Sequence, residues 1–366
     1  MIKRIYADNY KTYVNFTANF DSINVLLGRN GSGKSNLFDL IYKLKRFISN
    51  EQGLKELFTP DTLTHWQTLN TQTFELELEV QEHQYVYHLE IEYDLDNDKS
   101  RVCKEVLTCD GNANTLFFAK NGEAYLYNDF FEQRAELLIN WGYSGVGFVQ
   151  ERNDNKLLTA FKKAMNKIIV CLLRPFFFEG YTDKESDIPD YHFSNFTSVL
   201  KFMLQSKPDK IQELLSELKE INPQFSKLSL MGNETIKSLR ITYDVNGTEV
   251  NYKLDELSDG EKSIIALYCL LICYKNEDAV LLLDEPENYI TLSEIQPCLQ
   301  LVEDFAENNA QCILISHHPE VLNYLATSYG IWFSRKEHGV TRITDTPKIN
   351  EAITLAEYVQ RGWDSE

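Results

Sequence analysis

The sequence predicts an α/β chain with a central, mainly parallel sheet, an antiparallel β-subdomain and a helical insert. Three observations predict it. The apolar run "INVLL" (Ile23 to Leu27) enters a glycine-rich loop followed by an amphipathic stretch. Two later apolar runs, in "AVLLLDEPEN" (Ala279 to Asn288) and "AQCILISHHPEVLNYLA" (Ala310 to Ala326), also end in polar residues ahead of helical patterns. In the first third, "TFELELEV" and "YVYHLEIEY" alternate strictly, as half-buried antiparallel strands do.

In chain order, residues 1–50 read as a first set of strands, the glycine-rich loop and its helix. Residues 51–130 read as the antiparallel β-subdomain. Phe74, Leu76, Leu78 and Val80 share one face of its first hairpin, and Glu75, Glu77 and Glu79 share the wet face. Short strands follow at "CKEVLTC" and "EAYLYN". Residues 131–237 read as the helical insert, with helical patterns at about 155–175 and 196–221 and a polar loop at 180–195. Residues 238–366 open on the hairpin "SLRITYDVNGTEVNYKL", with Asn246-Gly247 at its turn, and carry the remaining motifs. Together these read as one domain, without internal repeats, low-complexity tracts or sustained heptads.

Gly28 to Ser35 match the pattern G-x-x-x-x-G-K-[ST] between a buried strand and a helix, the context that gives this pattern its meaning. The glycines let backbone N–H groups turn inward, and the helix adds its positive end. The result is a cradle for phosphate. Lys34 is expected to reach the β- and γ-phosphates, and the Ser35 hydroxyl to ligate Mg²⁺.

Asp284 and Glu285 end a second apolar strand, at the sheet edge where α/β folds bind nucleotides. Asp284 is expected to hold Mg²⁺, and Glu285 to activate water. In "ELSDGEKSIIALYCLL" (Glu256 to Leu271), Ser258 and Gly260 precede a helix and offer a second phosphate grip. Two grips so far apart in sequence make sense if one subunit's grip closes on nucleotide held by the other. His317, following a third apolar strand, can hydrogen-bond a γ-phosphate, whereas His318 reads as structural or solvent-facing.

Composition narrows the class. No apolar run reaches the roughly 20 residues of a membrane span, and the first residues lack a signal-peptide core, so the expectation is a soluble, cytoplasmic chain with no membrane role. Seven cysteines without CxxC pairs read as reduced core residues. A net charge of −19 argues against a surface broadly coated for nucleic acid. Local basic clusters at Lys43, Lys45 and Arg46, and at Lys162, Lys163 and Lys167, read as solvated helix faces.

With these motifs in this order, the chain resembles ABC-type P-loop ATPases of the soluble RecF, SMC and OLD-like branch. "GRNGSGKSN", "LSDGEK" and "DEPEN" carry that resemblance. It implies nucleotide contact at Asn30, Gly31, Ser32, Gly33, Lys34, Ser35 and Asn36, and a contact in trans at Ser258 and Gly260. Asp284 becomes the Walker B aspartate, Glu285 the catalytic glutamate and His317 the switch histidine. Gln150 is the candidate glutamine of the Q-loop, joining Ser35 and Asp284 at the metal. ATP and Mg²⁺ are the implied cofactors. The loop "NYITL" lacks the family's usual D-loop aspartate, so slow turnover is expected.

"DEPENYITLSEIQPCL" and "LISHHPEVLNYLA" further resemble small standalone bacterial ATPases associated with phage defence and abortive infection. That likeness implies a homodimer or higher oligomer sharing ATP sites and controlling a protein effector encoded nearby. A RecF-like DNA-repair ATPase and an ATP-dependent scaffold with little turnover are the alternatives. Too little chain separates Gln150 from Ser258 for the long coiled coil of chromosome-structure proteins, and too little follows His317 for an OLD-type nuclease domain.

Overall fold

The computed structural model describes residues 1–307, 309–335, 339–344 and 353–361, without the side chain of Ser293. The end of the expected 238–366 lobe therefore lies partly outside the described residues. The chain divides into two compact units, the first made of residues 1–21, 26–168 and 331–347, the second of 22–25, 169–330 and 348–366.

In the first unit an eight-stranded antiparallel sheet runs in the order Phe16–Asn19, Ile2–Asp8, Thr71–Val80, His83–Asp94, Lys99–Cys109, Thr115–Lys120, Glu123–Tyr127 and Gln133–Leu138. The β-subdomain therefore takes in the N-terminal strands as well. Alternation explains why: Ile2, Ile5 and Ala7 bury the same kind of face as Phe74, Leu76 and Leu78. On the other face, Arg4 pairs with Glu75 and Glu77, and Lys3 with Glu79. The wet side is thus laced by cross-strand ion pairs.

The Lys34–Ile48 helix buries Leu37, Phe38, Leu40, Ile41, Leu44, Phe47 and Ile48, the stripe its amphipathic pattern predicts. Each such side chain contributes about 1.5–3 kcal/mol on burial. The Lys156–Asn166 helix places Phe161 against Tyr85 and Tyr87, with ring centroids 5.8 and 5.9 Å apart. The sequence pattern predicts helix to about 175. The chain instead leaves the helix after Asn166 and forms the strand Ile168–Cys171, an apolar run rich in β-branched residues. The end of the strand Ile23–Leu27 is followed in its sheet by Gly330–Arg335 and Thr341–Thr344, the latter two antiparallel.

In the second unit Ile168–Cys171, Val280–Asp284, Gln311–Ile315 and the start of Ile23–Leu27 lie in that order, and Val280–Asp284 runs parallel to Gln311–Ile315. The Asp259–Cys273 helix is buried on all sides from Ser263 to Cys273, the environment an apolar-all-round helix requires. The 196–221 pattern forms two helices, Phe196–Ser206 and Pro208–Ile221, because Pro208 holds Lys207 out of the helical region. The expected helical insert also holds strands, including Gln133–Leu138 and Phe225–Gly232. Asn246 and Gly247, at φ 55° and 81°, make the hairpin turn to Thr248–Lys253. Among the described residues, no helix is long and apolar enough to cross a membrane.

Candidate functional site

The phosphate loop belongs to the first unit. Ile23–Leu27 is wholly buried and ends at Gly28, where φ is +128° and an added Cβ would stand 2.1 Å from the Phe333 carbonyl oxygen. Only glycine fits there. Gly31 and Gly33 also have positive φ, and Gly33 opens the Lys34–Ile48 helix without a side chain to cover its first amides. The loop curls back on Lys34, whose buried ammonium donates to the carbonyls of Gly28 at 2.5 Å and Arg29 at 3.1 Å. Asn30, Gly31 and Ser35 are exposed, and the half-buried Asn36 donates to Thr12 Oγ1. The Ser32 hydroxyl is buried without a hydrogen-bond partner among the described residues. A loop built of turned glycines, with an ammonium at its centre and an unsatisfied hydroxyl, suits a polyphosphate.

Three residues that sequence reasoning missed hold this loop. Tyr13 donates its hydroxyl to the Gly33 carbonyl at 2.7 Å; the Thr341 hydroxyl donates to the Ser32 carbonyl at 2.8 Å and shares a hydrogen bond with the Thr12 hydroxyl at 2.8 Å. Tyr13 is itself fixed by stacking on Phe16 at 4.0 Å. Lone Thr and Tyr residues so far from the motif carry no sequence signal. Gln150 lies in the same unit, exposed, beyond the one-turn helix Gly145–Phe148. Its carbonyl accepts from Asn155 Nδ2 at 2.9 Å, and its side chain makes no hydrogen bond to the phosphate loop among the described residues.

The second unit gathers the other motifs. Asp284 ends its strand opposite Ile315, and the next amide, of Glu285, donates to the Ile315 carbonyl at 2.8 Å. Glu285 has φ +47°, a left-handed turn that takes its side chain off the line of the strand. Asn288 Nδ2 then donates to Glu285 Oε2 at 2.9 Å. Both Asp284 and Glu285 are half-buried. Ser316, fully buried, donates to Glu287 Oε1 at 2.5 Å and accepts from the His318 amide at 3.1 Å. Burial pushes the Glu287 carboxyl up to about 7, with the Glu285 charge adding to the rise.

His317 is exposed at the end of Gln311–Ile315. His318 caps the following turn, its Nδ1 accepting from the Glu320 amide at 3.2 Å, and burial lowers its affinity for a proton. Ser258 caps the Asp259–Cys273 helix in a reciprocal box with Glu261, whose other oxygen accepts from the Tyr243 hydroxyl at 3.2 Å. An added Cβ on Gly260 would meet the Tyr289 carbonyl oxygen at 2.7 Å. The second grip and the loop after the carboxylates are therefore neighbours. The hydroxyl of Ser35 and the carboxylate of Asp284 are hard oxygen donors, the kind Mg²⁺ takes.

The family model described as the RecF/RecN/SMC N-terminal domain matches residues 1–340. Among solved structures, an SMC head bound to the C-terminal winged-helix domain of ScpA is similar at 14% identity and TM-score 0.59, covering 96% of this chain and 99% of its own. An SMC head with an extended coiled coil, bound to the C-terminal domain of ScpA derived from Pyrococcus furiosus, is similar at 12% identity and TM-score 0.52, covering 99% and 98%. No curated protein matches significantly.

Proposed function

Because the chain belongs to the RecF/RecN/SMC N-terminal domain family, an ABC-type P-loop fold, we propose that it is a Mg²⁺-dependent ATPase whose ATP state governs the pairing of two copies. The phosphate loop carries the reading: glycines at positive φ, the buried Lys34 ammonium and the unpartnered Ser32 hydroxyl form an arrangement that polyphosphate satisfies. Lys34 binds the β- and γ-phosphates, with Asn30, Gly31, Ser32, Gly33 and Asn36 shaping the cradle. Ser35 and Asp284, with Gln150 as a further oxygen donor, would hold Mg²⁺. When bound, that ion supplies positive charge to the phosphate oxygens.

Glu285 takes a proton from the attacking water, held in aim by Asn288. His317 donates to the γ-phosphate and reports its presence. Ser258 and Gly260 serve the nucleotide of a second copy, so that ATP binding closes the pair and hydrolysis opens it. Turnover is slow, because the loop beyond Glu287 offers no aspartate to organise the water of the facing site.

The likeness to small standalone ATPases of phage defence supports an output through a cytoplasmic protein effector. The two similar SMC heads, each bound to a ScpA domain, support a head that receives a protein partner. Direct DNA binding is disfavoured by the basic clusters. Lys43 pairs with Asp39, Arg46 with Glu51 and Lys163 with Glu151, while Lys45 and Lys162 donate to backbone carbonyls.

Mixing Lys34→Ala with Ser258→Arg subunits tests the shared site. In a mixed pair one site holds both defects and the other holds neither, so ATPase activity returns in part. Activity that stays absent, with ATP bound and the mixed pair demonstrably formed, would place the Ser258 grip in cis and overturn sharing.

A further inference from the structure

Among the described residues two acids are buried outside the mechanism above: Glu105, which is partnered by Tyr87, Ser144 and the Gly145 amide, and Glu287, which adjoins the candidate site. Glu287 is 6% exposed; its Oε1 accepts the Ser316 hydroxyl at 2.5 Å, and its Oε2 is buried with no hydrogen-bond partner among the described residues. A carboxylate in such a place costs several kcal/mol against an apolar side chain of similar size. Glu285, its near neighbour in the same loop, makes that cost greater by repelling its charge. A strut alone would not require an acid.

What the acid joins suggests its use. Glu287 follows Glu285 by one short turn, in which the Asn288 amide donates to the Glu285 carbonyl at 3.2 Å and the Asn288 side chain holds Glu285 Oε2. On the other side, Ser316 immediately precedes His317, and its hydroxyl also accepts the His318 amide, so Ser316 fixes the turn that carries the imidazole. The His317 amide itself favours the ionised form of Glu287. One carboxylate thus grips, through Ser316, the turn of the histidine, and through its own backbone the turn of the water-activating glutamate.

We propose that Glu287 is a positioning residue whose bond to Ser316 locks the Glu285 loop to the His317 loop, so that γ-phosphate contact at His317 and the aim of Glu285 change together. This rests on the ATPase reading for the roles of Glu285 and His317. The lock itself rests on the hydrogen bonds. Because a displacement of about 1 Å at a reacting group can cost on the order of a hundredfold, loosening the lock acts on turnover more than on binding. Glutamine can still accept the Ser316 hydroxyl; alanine cannot.

The test uses the full chain carrying Glu287→Ala, Glu287→Gln, Ser316→Ala, or Glu287→Ala with Ser316→Ala. Glu287→Ala and Ser316→Ala are expected to lower kcat by about tenfold or more with KM for MgATP within about twofold. Glu287→Gln should stay within about threefold of the parent, and the double variant should fall no further than the worse single one. An unchanged kcat in folded Ser316→Ala, a Gln variant as slow as the Ala variant, or additive losses would overturn the lock.

Backbone hydrogen exchange without nucleotide reads the same link independently of turnover. Ser316→Ala should speed exchange at both 285–290 and 315–318, and acceleration at the second segment alone would overturn the proposal. If the parent itself shows no Lys34-dependent ATP turnover, the ATPase reading fails, while hydrogen exchange still decides whether the two loops are locked.

Discussion

Replacing Gly28 by alanine tests whether the phosphate loop is built on close approach as well as on backbone freedom. Gly28 and Gly111 have nearly the same φ, +128° and +124°, but opposite surroundings. A Cβ on Gly111 has nothing within 4 Å, whereas on Gly28 it would stand 2.1 Å from the Phe333 carbonyl oxygen. Gly111→Ala therefore carries the conformational cost alone, roughly 1–3 kcal/mol. Ordinary contact begins near 3.4 Å, so Gly28→Ala must also drive that carbonyl back by more than an ångström. Phe333 is paired in register with Ile343 and packed near Phe16, and disturbing a buried backbone bond there adds about 1–3 kcal/mol.

The expected total is about 2–6 kcal/mol for Gly28→Ala, against about 1–3 for Gly111→Ala. Urea unfolding followed by tryptophan fluorescence suits the comparison, because Trp332 is buried beside Phe333 in the same strand. Gly28→Ala should also abolish ATP binding, and Gly111→Ala should leave it intact. Equal losses of stability in the two variants, or wild-type ATP affinity in Gly28→Ala, would refute the reasoning.

Two further outcomes are expected. The Glu287 carboxyl titrates higher in the fold, at about 7, than its ordinary 4.5, chiefly through burial, so its contribution is present below about pH 4.5 and lost as pH rises through 7. Wild-type stability should therefore fall relative to Glu287→Gln between pH 5 and pH 8, by roughly 3 kcal/mol at most, and a constant difference in paired melts would contradict this. Random duplex DNA should bind weakly at physiological salt; submicromolar affinity with a steep salt slope, measured by fluorescence anisotropy, would favour the DNA-repair alternative.

The legible parts of the fold were those in which a local pattern decides the outcome. Strict alternation gave the hairpin at 71–94, and Asn246-Gly247 gave the turn of the separate hairpin at 237–253, because both depend on neighbouring residues alone. The limits of the β-subdomain were harder to read: Ile2–Asp8 joins it through pairing with Thr71–Val80, a long-range register that no local signal announces. Ile168–Cys171 reads as helix in the sequence because a short apolar run directly after a helix keeps its periodicity ambiguous.

At the candidate site, the glycines and Lys34 could be named from their spacing. Tyr13, Thr12 and Thr341 could not, since they reach the loop only through the tertiary fold. Glu287 stood within a quoted motif, yet its burial and its bond to Ser316 depend on two strand ends meeting side by side.

ATP held by Lys34 is expected to close two copies of this chain, and Glu285→Gln is the variant that measures it. The amide keeps the shape of the side chain but cannot accept the proton of water, so ATP binds and persists. Light scattering should show the molecular mass of Glu285→Gln rising on addition of MgATP and staying at its starting value with ADP. Adding Lys34→Ala to the same chain should abolish both ATP binding and the rise. A mass that ignores ATP at saturation, or a Lys34→Ala chain that binds ATP as tightly as its parent, would contradict the account.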